Sequence, residues 1–113
     1  MKNLERVLKA CADINRLRIL KMLEKKKMCV CELASVLGIS QPSVSRHLKK
    51  LKKAGLIDYE QEGFWTNYYL GYRNEYSKEI LLLLRNWEND NNRVKKDLEK
   101  ASITDRSKVC SKK

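Results

Sequence analysis

Apolar positions recur at helical spacing from the start of the chain. Leu4, Val7, Leu8 and Cys11 fall three or four residues apart and predict a first helix over residues 2–11. Asp13 can cap a second helix, whose inward positions are Leu17, Leu20 and Leu23. Lys25-Lys26-Lys27 interrupts the pattern as a turn, and Met28-Cys29-Val30 reads as a short extended stretch. A third helix from about Cys31 to Leu37 then buries Leu33, Val36 and Leu37. Gly38 ends it by allowing a left-handed backbone. Ser40 caps a fourth helix, Pro42 suits its first turn, and Val44, Leu48 and Leu51 form its buried stripe. Helix, glycine turn and helix make a helix-turn-helix.

After Gly55 the pattern changes. Leu56–Glu60 and Trp65–Leu70 are rich in strand formers, with Glu62-Gly63 between them as a turn, which predicts a two-stranded hairpin. From Glu75 to Lys100 one long helix is expected. Its positions Ile80, Leu84, Trp87, Asn91, Val94 and Leu98 alternate steps of four and three, a heptad seam with an Asn inside it. So long a stripe in so small a domain needs a partner, and a second copy of the chain supplies one. The expected fold is mainly α with a small β-hairpin wing. It is a winged helix-turn-helix that pairs as a homodimer through its first and last helices. The dimer seam is assigned to Leu4, Val7, Leu8, Ile80, Leu84, Trp87, Asn91 and Val94. Residues 1–101 are expected to form one domain for binding and dimerisation, and residues 102–113 a flexible polar tail carrying Cys110.

Charge sharpens this picture. The chain of 113 residues carries 25 Lys and Arg against 14 Asp and Glu, a net +11. The excess is uneven: residues 1–55 hold 14 basic and 4 acidic side chains, residues 56–113 hold 11 and 10. A basic half of this kind favours a polyanion, nucleic acid before an anionic membrane surface. On the fourth helix Arg46, Lys49 and Lys53 share the outer face, with Ser43 and Lys50 beside them. Gln41, Ser43, Ser45 and Arg46 stand in its first turns, where base edges of duplex DNA come within reach. Arg pairs bidentately with guanine and Gln with adenine. Lys49, Lys50 and Lys53 would meet phosphates. The plain alternative is a solvated charged face. His47, the one histidine, borders the buried stripe and reads as a packing residue. The wing tip Gln61-Glu62-Gly63-Phe64 carries no Lys or Arg to offer a phosphate.

The four cysteines add chemistry. No apolar run reaches the length of a bilayer span, and Met1-Lys2-Asn3 leads straight into a helical pattern without a signal-peptide core. A cytoplasmic location is therefore expected, where thiols stay reduced and serve as ligands or sensors. Cys29 sits in extended chain and Cys31 in a first helical turn. Residues i and i+2 of extended chain face one side, so their sulfurs can converge. A helix N-terminus favours the thiolate. Thiolates select soft acceptors such as As(III), Sb(III), Cd(II) or Cu(I). Two small buried residues are the plain alternative. No Gly-rich phosphate loop, no Ser/His/Asp set and no supported acid pair is present. An enzyme is not expected, nor an organic cofactor or a small organic substrate.

Ile14-Asn15-Arg16-Leu17-Arg18-Ile19-Leu20, Cys29-Val30-Cys31-Glu32-Leu33, Gln41-Pro42-Ser43-Val44-Ser45-Arg46-His47-Leu48 and Ala54-Gly55-Leu56-Ile57 resemble the ArsR/SmtB family of bacterial metal-responsive repressors, over roughly residues 4–100. The resemblance implies a homodimer that holds a two-fold operator in double-stranded DNA and releases it when an inducer binds. The Cys-Val-Cys-Glu-Leu string is similar to that of the arsenic and antimony sensors, many of which carry a third Cys three residues further on. Ala34 stands there in this chain, so a third sulfur falls to Cys110 first and Cys11 second, or comes from outside the protein. Cys11 lies on an apolar stripe and also reads as plain core. The expected function is repression of an arsenic-resistance operon, relieved by As(III) or Sb(III) on cysteine thiolates. The alternatives are the same fold sensing Cd(II), other thiophilic ions, oxidants or reactive sulfur, and, more distantly, a basic RNA-binding protein.

Overall fold

Side-chain caps set where the helices begin. Asp13 accepts from the backbone N–H of Arg16 at 3.0 Å, Ser40 from Ser43 at 3.3 Å and Asn74 from Ser77 at 2.8 Å. The computed structural model describes residues 1–110. Its elements in chain order are α1 (Lys2–Cys11), α2 (Ile14–Leu23), α3 (Val30–Leu37), α4 (Gln41–Lys53), β1 (Ile57–Glu62), β2 (Trp65–Leu70), α5 (Glu75–Arg85), α6 (Asn92–Ile103) and α7 (Arg106–Val109). Gly38, at φ 71°, makes the left-handed turn between α3 and α4. Ile19, Leu20, Leu33, Val44, Leu48, Leu51 and Leu56 are fully buried and join α2, α3, α4 and the root of the wing in one core.

β1 and β2 pair antiparallel, from Ile57 opposite Leu70 to Glu62 opposite Trp65. Gly63 and Phe64 make the turn, one residue later than the sequence suggested. Met28 joins the hairpin from its other side: its N–H donates to the Tyr68 carbonyl at 3.2 Å, and the Tyr68 N–H donates to the Met28 carbonyl at 2.8 Å. The residue before Cys29 is thus hydrogen-bonded to the wing.

The structure corrects the expected long helix over Glu75–Lys100. α5 stops at Arg85, and α6 starts at Asn92 and packs back against α2 and α3. Three causes act together. The buried Lys21 ammonium donates to the carbonyls of Leu84 (2.8 Å) and Trp87 (2.9 Å) and to Asn89 Oδ1 (2.9 Å), which satisfies the open end of α5. Glu88 takes a left-handed φ of 62°. Asn91 then caps α6, accepting from the N–H groups of Arg93 and Val94 at 2.9 and 3.1 Å. Arg18 anchors the returned helix with a two-pronged pair to Asp97 at 2.8 and 2.9 Å.

That break dissolves the heptad seam. Val7, Leu84 and Val94, assigned to a dimer face, are buried within the protomer, and Asn91 works as a cap. Leu8 and Trp87 remain about half exposed, and Leu4 and Ile80 are partly exposed. The tail boundary at residue 102 is also displaced. α6 runs through Ile103, α7 follows, and Cys110 is buried against the rest of the domain. Residues 111–113 of the expected tail lie outside the described residues. Among the described residues, no helix is long and apolar enough to cross a membrane.

Candidate metal centre and nucleic-acid interface

Cys29 is the cap residue of α3, with extended backbone at φ −94° and ψ 170°, and Cys31 is the second helical residue. The Cys29 N–H donates to the carboxylate of Glu32 at 3.0 Å, which fixes the entry of the chain into α3. The two sulfurs converge at 3.4 Å. α7 then brings Cys110 across from the other end of the chain. Its sulfur lies 3.6 Å from that of Cys29, and Cys31 and Cys110 are joined as a disulfide with Cα atoms 5.4 Å apart. Cys29, Cys31 and Cys110 are the three sulfurs gathered within 4.8 Å of one another. Cys11, the second-choice ligand of the sequence, sits at the end of α1 packed on the core and stands outside this group.

The donor set suits a soft ion. Two thiolates bound to one ion at about 2.3 Å lie no more than about 4.6 Å apart, and the Cys29 separations satisfy that. No histidine approaches from α5 or α6. Burial pushes the Cys29 thiol above its ordinary pKa, and the nearby Glu32 carboxylate adds to this. The Glu32 backbone N–H and the Arg106 guanidinium oppose it. The net direction is opposite to what a helix N-terminus alone suggests, because Cys29 is only 3% exposed.

A second cluster, absent from the sequence reading, borders the thiols. Arg106 of α7 donates to Asn67 Oδ1 of β2 at 2.7 Å and contacts Glu32 at 3.3 Å and Glu62 at 3.4 Å. Its guanidinium also lies over the Trp65 ring, 4.7 Å from the centroid. Glu62 in turn accepts from the Asn67 amide at 2.7 Å. The acidic wing tip therefore has an internal partner. The sequence signal was the absence of Lys and Arg from the wing tip Gln61-Glu62-Gly63-Phe64.

On α4, Gln41, Ser45, Arg46, Lys49, Lys50 and Lys53 are all exposed on the protein surface. Ser43 is partly covered, and its hydroxyl is shared between Ser40 and Arg46, each at 3.0 Å. It orients Arg46 as well as facing outward. His47 packs inward, its Nδ1 accepting from Arg16 Nη1 at 3.3 Å.

The geometry of α3, α4 and the hairpin is that of a winged helix-turn-helix, and known proteins match it. Residues 13–59 match the arsR family of bacterial regulatory proteins. An uncharacterized HTH-type transcriptional regulator of Methanocaldococcus jannaschii is 43% identical over 79 residues, which cover 69% of this chain and 86% of that protein. The chain belongs to the ArsR family. This ArsR-family chain is also 43% identical over 63 residues to the arsenical resistance operon repressor of Escherichia coli K12, covering 55% of this chain and 54% of that one. It therefore spans about half the length of that repressor. The cadmium resistance regulatory protein CadC of Listeria innocua is 35% identical over 63 residues, covering 55% of this chain and 53% of that protein. Among solved structures, the homodimeric winged helix-turn-helix DNA-binding domain of a possible ArsR-family regulator from Mycobacterium bovis superposes with a TM-score of 0.65 at 28% identity, over 74% of this chain and 76% of that one. The ArsR-family protein is thus a DNA-binding transcriptional regulator, and the relatives it matches are regulators and not enzymes.

Proposed function

We propose that this ArsR-family protein is a homodimeric repressor that leaves its operator when a trivalent arsenic or antimony species is captured by Cys29, Cys31 and Cys110. The observation that carries the reading is the meeting of these three sulfurs from opposite ends of the chain. The ligand count favours a three-bonded acceptor over Cd(II). The neighbouring Glu32 carboxylate already serves the Cys29 N–H and Arg106. As(III) forms three bonds and asks for no fourth ligand, whereas d10 ions such as zinc take four. The relatives named for arsenical and for cadmium resistance keep both ions in the comparison.

The recognition surface is assigned to Gln41, Ser43, Ser45 and Arg46 at the base edges and to Lys49, Lys50 and Lys53 at phosphates of a two-fold operator. α3 begins at the Cys29 and Cys31 thiols and packs on α4 through the shared core. A ligand that redraws the start of α3 thereby changes the pose of α4. A hundredfold loss of operator affinity corresponds to about 2.7 kcal/mol of coupling, within the ordinary allosteric range.

The decisive experiment titrates operator release against arsenite, antimonite and Cd(II) for the reduced wild type and Cys110→Ser. Arsenite is expected to release the wild type at the lowest concentration, and Cys110→Ser to need at least about tenfold more. Equal release of both proteins removes Cys110 from the site, and tighter response to Cd(II) reassigns the inducer.

A second reading rests on the Cys31–Cys110 disulfide. Two thiols lose two electrons and two protons to a peroxide, which leaves as alcohol and water, and the same pair is withdrawn from metal binding. Oxidised protein is then expected to ignore arsenite until it is reduced.

A further inference from the structure

We propose that Arg106 is a positioning residue that latches Cys110 onto the thiol pair and ties the state of the site to the wing. The inference rests on the three-sulfur reading of the site above. α7 is a single turn, too short to hold itself in place by its own hydrogen bonds, and it packs principally on α3. Besides the Cys31–Cys110 bond, which reduction removes, its side-chain anchor is Arg106, at the start of that turn, and Cys110 closes it, the Cys110 N–H donating to the Arg106 carbonyl at 2.9 Å. Whatever holds Arg106 therefore fixes Cys110 one helical turn away.

Arg106 is held from two directions. On the α3 side it meets Glu32, whose carboxylate also accepts the Cys29 N–H. One carboxylate thus orients both a ligand residue of α3 and the arm that carries the third sulfur. On the wing side it meets Asn67, Glu62 and Trp65. Asn67 and Glu32 are each only 4% exposed, so the contacts with these two are shielded from water. A planar guanidinium can reach all these groups and cover an indole at once, which an ammonium cannot.

The wing is therefore tied to the thiol site twice. Main-chain bonds join Met28 to Tyr68, and Arg106 joins the site to the adjacent Asn67. Ligand capture that draws Cys110 and Cys31 to new positions pulls on α7, and Arg106 passes the displacement to β2. The wing then moves with the sulfurs, in parallel with any effect through α3 on α4.

The test uses the full chain, reduced and free of metal. Alkylation of each cysteine by iodoacetamide is followed by mass spectrometry in the wild type, Arg106→Ala and Arg106→Lys. Arg106→Ala is expected to raise the Cys110 rate at least about tenfold while leaving Cys11 unchanged, because the loss opens α7 alone. Arg106→Lys is expected to recover only part of the protection. Wild-type rates at Cys110 in Arg106→Ala, or a parallel rise at Cys11 that marks general unfolding, would overturn the latch. A second readout follows Trp65 emission on adding arsenite in a Trp87→Phe background. A shift present with Arg106 and lost with Ala supports the link to the wing, and the same shift in both removes it. The alkylation arm needs no inducer, so it still decides the role of Arg106 if arsenite fails to release DNA.

Discussion

Arg16 is a guanidinium with only 9% of its surface exposed, and it earns its place by serving three elements. It donates to the carbonyls of Ala10 at 2.7 Å and Lys9 at 3.1 Å, closing the open end of α1, and reaches His47 on α4. An arginine can only donate, so the bond requires His47 Nδ1 to be unprotonated. Burial holds His47 below the usual imidazole range. The Arg16, Lys50 and Arg46 cations push the same way, and Asp13 pushes against them. The folded state therefore binds this proton less readily than the unfolded chain. The stability it confers is present above about pH 6.5 and is lost as pH falls through the lower folded value. Urea midpoints at pH 7.5 and 5.5 should fall further for the wild type than for His47→Gln, and equal falls would show that His47 is not the sensor. The packing role read for His47 from the sequence needed only helical periodicity. Its partner Arg16 lies 31 residues away, and nothing along the chain announces that contact.

At the scale of elements, a buried cation supports the break between α5 and α6. Lys21 is 3% exposed, and besides the three oxygens at the end of α5 it pairs with Glu24 at 2.9 Å. Replacing it with Met keeps most of the aliphatic stem but leaves the Leu84 and Trp87 carbonyls and the Glu24 carboxylate without their donor. Breaking a buried pair of this kind costs about 3 kcal/mol, and urea unfolding of Lys21→Met should show it. A loss below about 1 kcal/mol would mean that water replaces the ammonium at no penalty. The same residue explains why a heptad reading over Glu75–Lys100 does not survive. Periodicity reports which positions are apolar, and Leu84 and Val94 are indeed buried, but against their own chain. A cap supplied from α2, more than sixty residues earlier, is invisible in a window of the sequence. The helices up to α4 and the two strands were legible because their caps, glycines and stripes are local.

For the whole molecule, the apolar surface left uncovered marks the face that a second copy is proposed to occupy. Leu8 on α1, Leu82 and Leu83 on α5, and Trp87 just beyond it are each about half exposed. α1 and α5 pack on each other, which brings the two elements into one face. Trp87→Ala should weaken association by about 2 kcal/mol, roughly thirtyfold. Sedimentation equilibrium measures this directly, and an unchanged dimer constant would move the interface elsewhere. The sequence alone determined the helix-turn-helix, the hairpin, the basic face of α4 and the Cys29–Cys31 pair, because each is written in neighbours a few residues apart. The tertiary structure decided that the last helix breaks and folds back, that Cys110 joins the pair while Cys11 stays with the core, and that Arg106 spans the site and the wing. Those outcomes come from contacts between residues 39 to 81 positions apart. Such contacts form where buried charges and carbonyls must find partners, and only the packed chain determines which partner each one meets.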